Sequence, residues 1–418
     1  ITVETAKDQT TDVTLDNVNI EVNTSEAKTG AIEIKGDGDT NLELDGNNTV
    51  QVKNNWGDEH AAIEKADKYG TGTLTIKDDV NDNGSAKGTK EDTTGKLLAG
   101  GYHESAAIGG GAGEDLGDTS NITGGEITAI GGNDGGCGIG GGGRPGGTGK
   151  NICIEGNAHV TAAGAEGAAI GGGATGGNSI TITDDAVVDA YGTWGSAIGD
   201  GGLYGGGSGG RPTTITISGN ATVHAEASEY GCAIGSGQHG TSNLTINIEE
   251  NANVTAIGPY DHPAIGNAQC TDGSTTTINI TGGTVNAINS FGSDDPKYSS
   301  QHDGTRDSSP AIGGKIYKWS SGDHESTCNV NINSSTGDTV VNAYIYGKGS
   351  GTAIGSMICT DTYNDITQRY DSEYQYVPAD SASYKADGSS HFGERNSAIV
   401  NCYNNGTVAK EKLELSNT

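Results

Sequence analysis

Large apolar side chains are scarce in this chain. Its 418 residues include two phenylalanines and one methionine, and apolar residues make up only 32%. A globular α/β enzyme of this length would need more of them to fill its core. Glycine, by contrast, occurs 72 times. This composition favours thin coils with many turns over a thick globular core.

Positive charge is the second shortage. Lysine and arginine total 23 against 54 aspartates and glutamates, which gives a formal net charge of −31. This balance repels phosphate groups and anionic lipids, so we expect neither nucleic acids nor membranes as partners. No apolar run approaches the ~20 residues of a membrane span. Neutral sugars and divalent cations are the ligands that such a charge suits.

Motifs for phosphate and zinc binding are also missing. The two glycine-rich loops that end at Arg144 and Arg211 lack the Gly-Lys-Ser/Thr of a phosphate loop. The nine histidines and seven cysteines show no metal-ligand spacing and no Cys-x-x-Cys pair. The sequence therefore does not indicate a nucleotide-binding loop or a zinc site.

What the chain does contain is a repeat. Ala-Ile-Gly or a close variant returns along most of its length, first in two steps of 31 residues and then in steps of 28 to 47. Its isoleucines are Ile108, Ile139, Ile170, Ile198, Ile234, Ile265, Ile312 and Ile354, with Ile399 in a last copy that reads Ala-Ile-Val. A repeat of this length predicts a solenoid, because one unit cannot bury its apolar face alone.

Each unit also holds two further strand signals. An Ile-x-Ile pair, as at Ile180 and Ile182, shows the alternation of a strand with one buried face. A valine follows five or six residues later, as at Val188, and several units have Gly-Asn or Gly-Gly between the two signals. Three short strands per unit predict an all-β fold, namely a single right-handed, three-sided parallel β-helix of roughly ten coils of about 30 residues.

The predicted β-helix has three parts. Residues 1–99 are expected to form an N-terminal cap and the first irregular coils, 100–285 the regular coils, and 286–418 the coils with long inserted loops. Insertions in a solenoid form loops that often build the binding face. The C-terminal part is therefore the candidate binding face.

Two cysteines occupy equivalent places in the repeat. Cys137 and Cys232 each precede a repeat isoleucine by two residues, where other units have small residues or proline. We expect them to be small buried residues three coils apart, and a separation of ~14 Å is too long for a disulfide. Free thiols in an exported protein would indicate an anaerobic habitat.

Aromatic and acidic residues concentrate in the C-terminal insertions. A sugar site needs flat rings for stacking and polar groups for hydrogen bonds. The candidate contact residues are Tyr298, His302, Arg306, Tyr317, Trp319, Tyr370 and Tyr374. The candidate catalytic carboxyl groups, of which glycosidic cleavage would need two, are Asp303, Asp307, Asp323 and Glu325. The alternative is that these are ordinary long loops whose tyrosines anchor them to the β-helix.

One segment resembles half of a calcium loop. Asp79, Asn81 and Asn83 alternate before Gly84, as the first ligands of such a loop do. The twelfth position is Lys90 instead of a bidentate glutamate. An Asx-rich hairpin turn is therefore the competing interpretation. The sequence requires no cofactor, and calcium is the one that it admits.

The repeat cycle resembles a known kind of module. Ile180 to Ile198 and Ala168 to Gly173 read like the β-helix modules of surface or secreted proteins from anaerobic Gram-positive bacteria. These belong to the wider pectate-lyase-like class, which includes lyases, glycoside hydrolases and adhesin stalks. The resemblance implies a carbohydrate-binding module that is secreted or attached to the cell surface, and that is monomeric within a larger surface protein.

We predict from these features that the protein binds a polysaccharide or host glycan through an aromatic and acidic groove on its C-terminal coils. A glycoside hydrolase or polysaccharide lyase that uses paired carboxylates of the inserted loops is the alternative. A structural adhesin shaft is the third possibility. Release of sugars from glycans would separate the enzyme from the binding protein.

Overall fold

The predicted three-sided β-helix is confirmed. A computed structural model describes residues 1–53, 59–79, 95–143, 146–173, 177–202, 212–237, 243–259, 262–270, 274–289, 309–319, 327–332, 339–345, 353–364, 369–378, 399–404 and 407–414. For Ser25, Cys270, residues 316–319 and residues from 358 onward, it describes the backbone alone. The strands form three long sheets, here called A, B and C, of 12, 10 and 12 strands.

One strand from each sheet, in the order A, B, C, makes one coil. The first five coils contain β1 (Thr2–Glu4), β2 (Thr10–Asp16), β3 (Asn19–Asn23), β4 (Ile32–Lys35), β5 (Asp39–Asp45), β6 (Asn47–Lys53), β7 (Ile63–Glu64), β8 (Leu74–Lys77), β9 (Lys96–Gly100), β10 (Ile108–Gly109), β11 (Ser120–Ile122), β12 (Glu126–Ile130), β13 (Ile139–Gly140), β14 (Lys150–Ile154) and β15 (His159–Gly164). A single helical turn, α1 (Thr24–Ala27), follows β3, and a 3₁₀ turn (Asp67–Tyr69) follows β7.

The next five coils continue the same sheets. They contain β16 (Ile170–Gly171), β17 (Asn178–Ile182), β18 (Val187–Gly192), β19 (Ile198–Gly199), β20 (Thr213–Ile217), β21 (Thr222–Ala227), β22 (Ile234–Gly235), β23 (Asn243–Ile248), β24 (Asn253–Gly258), β25 (Ile265–Cys270), β26 (Thr275–Ile280), β27 (Thr284–Asn289), β28 (Ile312–Trp319), β29 (Thr327–Ile332) and β30 (Val340–Ile345). After them, β31 (Ile354–Asn364) and β33 (Ile399–Asn404) extend sheets A and C, and β32 (Arg369–Pro378) and β34 (Thr407–Glu414) add to these in antiparallel orientation.

The repeat isoleucines form one column inside sheet A. Ile139 pairs with Ile170, and Ile170 pairs with Ile198, so residues about one coil apart in sequence are direct neighbours. All three side chains are fully buried. The Ile-x-Ile and valine signals form equivalent buried columns in sheets B and C, as for Ile180 and Val188. The core is therefore a set of apolar columns that run along the helix axis.

The last copy of the repeat does not belong to this column. Ile399 pairs with Val340 in sheet C, and the next residue, Val400, pairs with Val341 of the valine column. The assignment of Ile399 to the Ala-Ile-Gly column was therefore wrong. In this copy a valine replaces the glycine that ends every earlier sheet A signal, so two β-branched residues follow one another and fit a longer strand.

Cys137 and Cys232 are buried, as the repeat predicts, and neither is in a disulfide. Cys137 packs in a small apolar cluster with Ala106 and Ala168, which hold the same place in the neighbouring coils. Its thiol donates a hydrogen bond to the carbonyl of Gly171, at 3.3 Å. Burial raises the pKa of this thiol well above its usual range.

Glycine is required immediately after each isoleucine of the column. Gly171 has a φ of +138°, and a Cβ built there would lie 1.9 Å from the carbonyl oxygen of Gly199 in the next coil. Gly199 has a φ of +136° and meets Gly235 in the same way, at 1.8 Å. The backbones of successive coils thus approach one another too closely for any side chain.

We expect Gly171→Ala to lower the free energy of unfolding by about 3 kcal/mol, because the methyl group adds backbone strain and a collision with the next coil. Urea unfolding followed by circular dichroism measures the change. Gly100→Ala is the matched control, because its Cβ would meet only the flexible side chain of Gln51, at 3.2 Å. If both variants lower the free energy of unfolding equally, the close approach of the backbones at Gly171 is not what requires glycine there.

Candidate functional site

Sheet A widens where the C-terminal insertions begin. Its strands are two residues long from β10 to β22, but β28 has eight residues, β31 eleven and β32 ten. β28 pairs with β31 in parallel, and β32 pairs antiparallel with β31. We call residues 315–319, 357–364 and 369–376 of these strands the sheet A extension.

Four predicted contact residues belong to this extension. Tyr317 pairs with Cys359, which in turn pairs with Tyr374. Trp319 follows Tyr317 by two residues, and Tyr370 precedes Tyr374 by four. Residues of a strand alternate between its faces, and paired residues share a face. The four aromatic residues, which are far apart in sequence, are therefore assigned to one face of the extension.

Two tyrosines that sequence reasoning did not select belong to the same face. Tyr363 pairs with Tyr370, and Tyr376 pairs with Met357, two residues before Cys359. The signal that could have found them is their spacing, since Tyr374 and Tyr376 are two residues apart as in a strand. The face thus collects six aromatic residues from three strands.

The other predicted residues of the C-terminal insertions lie outside the described residues. These are Tyr298, His302, Asp303, Arg306 and Asp307, within 290–308, and Asp323 and Glu325, within 320–326. The base of the first insertion is described. Asn289 is fully buried, and its side-chain amide donates to the carbonyls of His262, at 3.0 Å, and Ser309, at 2.9 Å. One amide thus joins both ends of this insertion to the preceding turn.

A second aromatic group lies on the turns that lead from sheet C to sheet A, here called the C–A turns. Trp194 precedes β19, Tyr230 precedes β22 and His262 precedes β25. The ring centroids of Trp194 and Tyr230 are 5.5 Å apart, with an interplanar angle of 81°. Those of Tyr230 and His262 are 6.4 Å apart at 77°. The indole N–H of Trp194 donates to Glu229 Oε2, at 2.6 Å.

Sequence reasoning missed this second group. Trp194 and Tyr230 both stand four residues before a repeat isoleucine, Ile198 and Ile234 respectively. In a solenoid, equivalent positions of successive repeats lie on top of one another. The four-residue spacing that Trp194 and Tyr230 share was therefore the signal that could have predicted this group. It lies in the regular coils, outside the insertions.

The calcium candidate lies partly within the described residues. Asn81 and Asn83 lie outside them, whereas Asp79 is described. Lys77 Nζ is 2.9 Å from Asp79 Oδ2. A hydrogen bond with Glu43, followed by the contact with Lys77, holds the pKa of Asp79 below its usual value. Asp79 is therefore already paired with a cation.

Three other acids lie beside this segment. Glu43, Asp45 and Asp78 each offer an oxygen, and the three oxygens lie within 4.8 Å of one another. Asp78 Oδ2 also accepts a hydrogen bond from the amide of Gly95, at 2.9 Å, which joins the two ends of the segment 80–94. Carboxylate oxygens are the ligands that Ca²⁺ prefers. Calcium binding at this segment stays a prediction.

A charged network lies in the second and third coils, where sheet A lacks its glycine. Glu33 pairs with Glu64, and Glu64 pairs with Gly109, the first glycine of the column. The Glu64 side chain is fully buried, and its Oε2 lies 2.7 Å from His60 Nδ1. Lys35 Nζ lies 2.8 Å from Glu33 Oε2.

The network is close enough to hold a metal ion, since one ligand atom each of Glu33, His60 and Glu64 lie within 4.8 Å of one another. Lysines already neutralise it, however. Lys68 Nζ lies 3.7 Å from Glu64 Oε1 and also contacts Glu114. Buried carboxylates need such partners to offset their lost hydration. We interpret the network as structural.

The pKa values of His60 and Tyr69, which both contact carboxylates of this network, are shifted. The hydrogen bond with Glu64 raises the pKa of His60 above its usual value. Burial, with the nearby carboxylates of Glu64 and Glu33, raises the pKa of the Tyr69 hydroxyl. The Tyr69 hydroxyl donates a hydrogen bond to Glu33 Oε1, at 3.3 Å. The two raised pKa values mean that the nearby carboxylates stabilise protonated His60 and the protonated hydroxyl of Tyr69.

In comparisons with known proteins, no protein-family model, no curated protein and no solved structure matches the chain. Within the described ranges, none of the helical segments has the length and apolar character needed to cross a membrane.

We expect Ca²⁺ to stabilise the protein and Asp79→Asn to reduce this effect. Binding to the folded state alone contributes about 2.7 kcal/mol when the ion is at about a hundredfold its Kd. Thermal unfolding with Ca²⁺, Mg²⁺ or a chelator measures it, and Asp37→Asn, at an exposed acid of another turn, is the control. An unfolding temperature that does not respond to Ca²⁺ would count against the site.

We expect His60 to stabilise the fold more in acid than in alkaline solution. Its folded-state pKa is raised, so its contribution is fully present below the unfolded pKa of about 6.5 and is lost as the pH rises through the folded value. The charged groups around it are Glu64, Glu114 and Lys68. His60→Asn should therefore lower the free energy of unfolding more at acid pH than at alkaline pH.

Urea unfolding at both pH values measures this difference. The control is His159→Asn, since His159 is exposed on sheet C. If His60→Asn lowers the free energy of unfolding by the same amount at both pH values, the hydrogen-bonded ion pair between His60 and Glu64 does not form.

Proposed function

We propose that this β-helix recognises carbohydrate through the aromatic face of the sheet A extension. The observation that supports this proposal is the strand register, which assigns Tyr317, Trp319, Tyr370 and Tyr374 to one face. Aromatic rings stack on the apolar C–H faces of sugars, and a row of them on one sheet suits a chain of several sugar units.

The composition of the chain supports the same proposal. A net charge of −31 disfavours polyanionic partners such as nucleic acids. Carboxylate, amide and hydroxyl groups, which are plentiful here, can accept hydrogen bonds from sugar hydroxyls. In this proposal the ligand is a polysaccharide or host glycan outside the cell, and the β-helix is one module of a surface protein.

The inserted segments fit this proposal by their position in the chain. Segment 290–308 lies between β27 and β28, and segment 320–326 directly follows β28. Both therefore adjoin the strand that begins the extension. Insertions at one place of a solenoid often supply the residues that distinguish one ligand from another.

We expect Trp319→Ala to weaken glycan binding by roughly tenfold or more, because one stacking ring is lost from the face. A glycan array first identifies ligands of the wild-type protein, and isothermal titration then measures both affinities. Tyr102→Ala is the control, since Tyr102 is an exposed aromatic residue on a distant C–A turn.

The same ligands also test for catalysis. Incubation of each bound glycan with the wild-type protein, followed by chromatography of the products, would reveal any cleavage. Cleavage that is lost in a single Asn or Gln variant of Asp303, Asp307, Asp323 or Glu325 would make the protein a glycosidase. An array on which the wild-type protein binds nothing would contradict the proposed function.

A further inference from the structure

The aromatic C–A turns are built as a rigid platform. The amide of Trp194 donates to the carbonyl of Ala165 in the preceding turn, at 2.8 Å, and the amides of Glu229 and Tyr230 both donate to the carbonyl of Thr193, at 3.0 and 3.2 Å. Each turn is thus hydrogen-bonded to the one before it. Side chains carried by such turns are held in fixed relative positions.

Glycines bring these turns into close contact. A Cβ at Gly195 would lie 2.5 Å from the carbonyl oxygen of Gly167, and one at Gly231 would lie 2.3 Å from that of Gly195. Each glycine directly follows the platform residue of its turn, Trp194 or Tyr230. The backbones therefore pack directly on one another, and the residues that carry the aromatic rings succeed each other at about the 4.8 Å spacing of neighbouring strands.

The platform combines a ring with a fixed hydrogen-bond acceptor. Trp194, Glu229 and Tyr230 are all partly exposed. The bond from the indole N–H at 2.6 Å orients the Glu229 carboxylate beside the ring, and its two oxygens can accept more than one hydrogen bond. An apolar surface next to an oriented acceptor matches the C–H face and hydroxyl edge of a sugar.

The electrostatic surroundings exclude an acidic sugar. Residues 151–289 contain twelve aspartates and glutamates but a single cation among lysine and arginine, Arg211. Near the platform, Tyr191 has its pKa raised by burial and by the carboxylates of Asp189 and Glu226. A uronate or sialate would meet this negative field, and the described residues of this stretch contain no lysine or arginine to pair with it.

The platform and the sheet A extension lie at opposite edges of sheet A, three coils apart. Trp194 precedes the isoleucine of its strand, whereas residues 315–319 follow Ile312 in the same register. Trp194 stands four residues before β19, and sheet A continues in the order β19, β22, β25, β28. Three steps of ~4.8 Å make a separation of about 14 Å along the axis. His262, which contacts Tyr230, lies on the platform's edge of sheet A and is joined to the base of the insertion through Asn289.

We infer that Trp194, Glu229 and Tyr230 form a second subsite, which takes an uncharged sugar residue of a linear glycan that runs obliquely across sheet A from the extension. This inference rests on the proposed function and adds to it the length and the charge class of the ligand. A short oligosaccharide would occupy the extension alone, whereas a longer one would reach the platform as well.

The test compares ligand lengths. The probes are cello-, xylo-, manno- and malto-oligosaccharides from disaccharide to octasaccharide, with oligogalacturonides of equal length as the charged series. We expect Trp194→Ala to weaken binding of the longest neutral ligands by roughly tenfold and to leave disaccharide binding unchanged. Trp194→Phe, which keeps a ring but loses the bond to Glu229, should have an affinity between those of Trp194→Ala and wild type, and it guards against a folding defect. Tyr102→Ala is the control variant.

The outcomes separate this inference from the proposed function. Equal affinity of Trp194→Ala and wild type for every neutral length, with Trp319→Ala still impaired, would overturn the subsite and leave the proposed function standing. Preferential binding of oligogalacturonides would contradict the inference that the ligand is uncharged, but not the subsite itself. If the protein binds neither these probes nor any glycan of the array, both the subsite and the proposed function are contradicted.

Discussion

The close approach of backbones in sheet A governs the architecture of this protein. Successive glycines such as Gly171, Gly199 and Gly235 approach until a built Cβ would lie less than 2 Å from the next carbonyl oxygen. No side chain fits there, and the regular strands of sheet A are only two residues long. The turns on either side of sheet A are therefore close together. Functional side chains on this side must come from those turns or from a widened sheet.

Insertions are tolerated because each coil depends only on its neighbours. At two places the base of an insertion is closed by one buried polar side chain. Asp78 accepts the amide of Gly95 across the segment 80–94. Asn289 binds the carbonyl of Ser309 across the segment 290–308. These bonds keep the coil intact below the insertion, so loop length can vary without disturbing the core columns.

The sequence allowed the fold to be predicted far better than the site. Columns such as Ile139, Ile170 and Ile198 are visible because every coil must rebuild the same core. Ile399 was misassigned because its sheet depends on pairing with Val340 and not on the tripeptide alone. The platform at Trp194 was missed because its signal, the four-residue spacing to the isoleucine that it shares with Tyr230, lies in the regular coils, whereas the prediction selected residues of the insertions. The common face of the extension appears only in the strand register, since Trp319 and Tyr370 are far apart in sequence.

The distribution of charge divides the β-helix into two kinds of surface. In the first coils, carboxylates have cationic partners, as Glu33 has Lys35 and Glu64 has Lys68. In the later coils, ladders of amide side chains line the sheets: Asn331 donates to Asn279, which donates to Asn247, at 2.8 and 2.9 Å. Such ladders leave hydrogen-bonding groups on the surface without fixed positive charge. Such a surface offers donors and acceptors for hydrogen bonds with hydroxyl groups. The same shortage of positive charge disfavours polyanions and supports the proposal that the ligand is a neutral sugar.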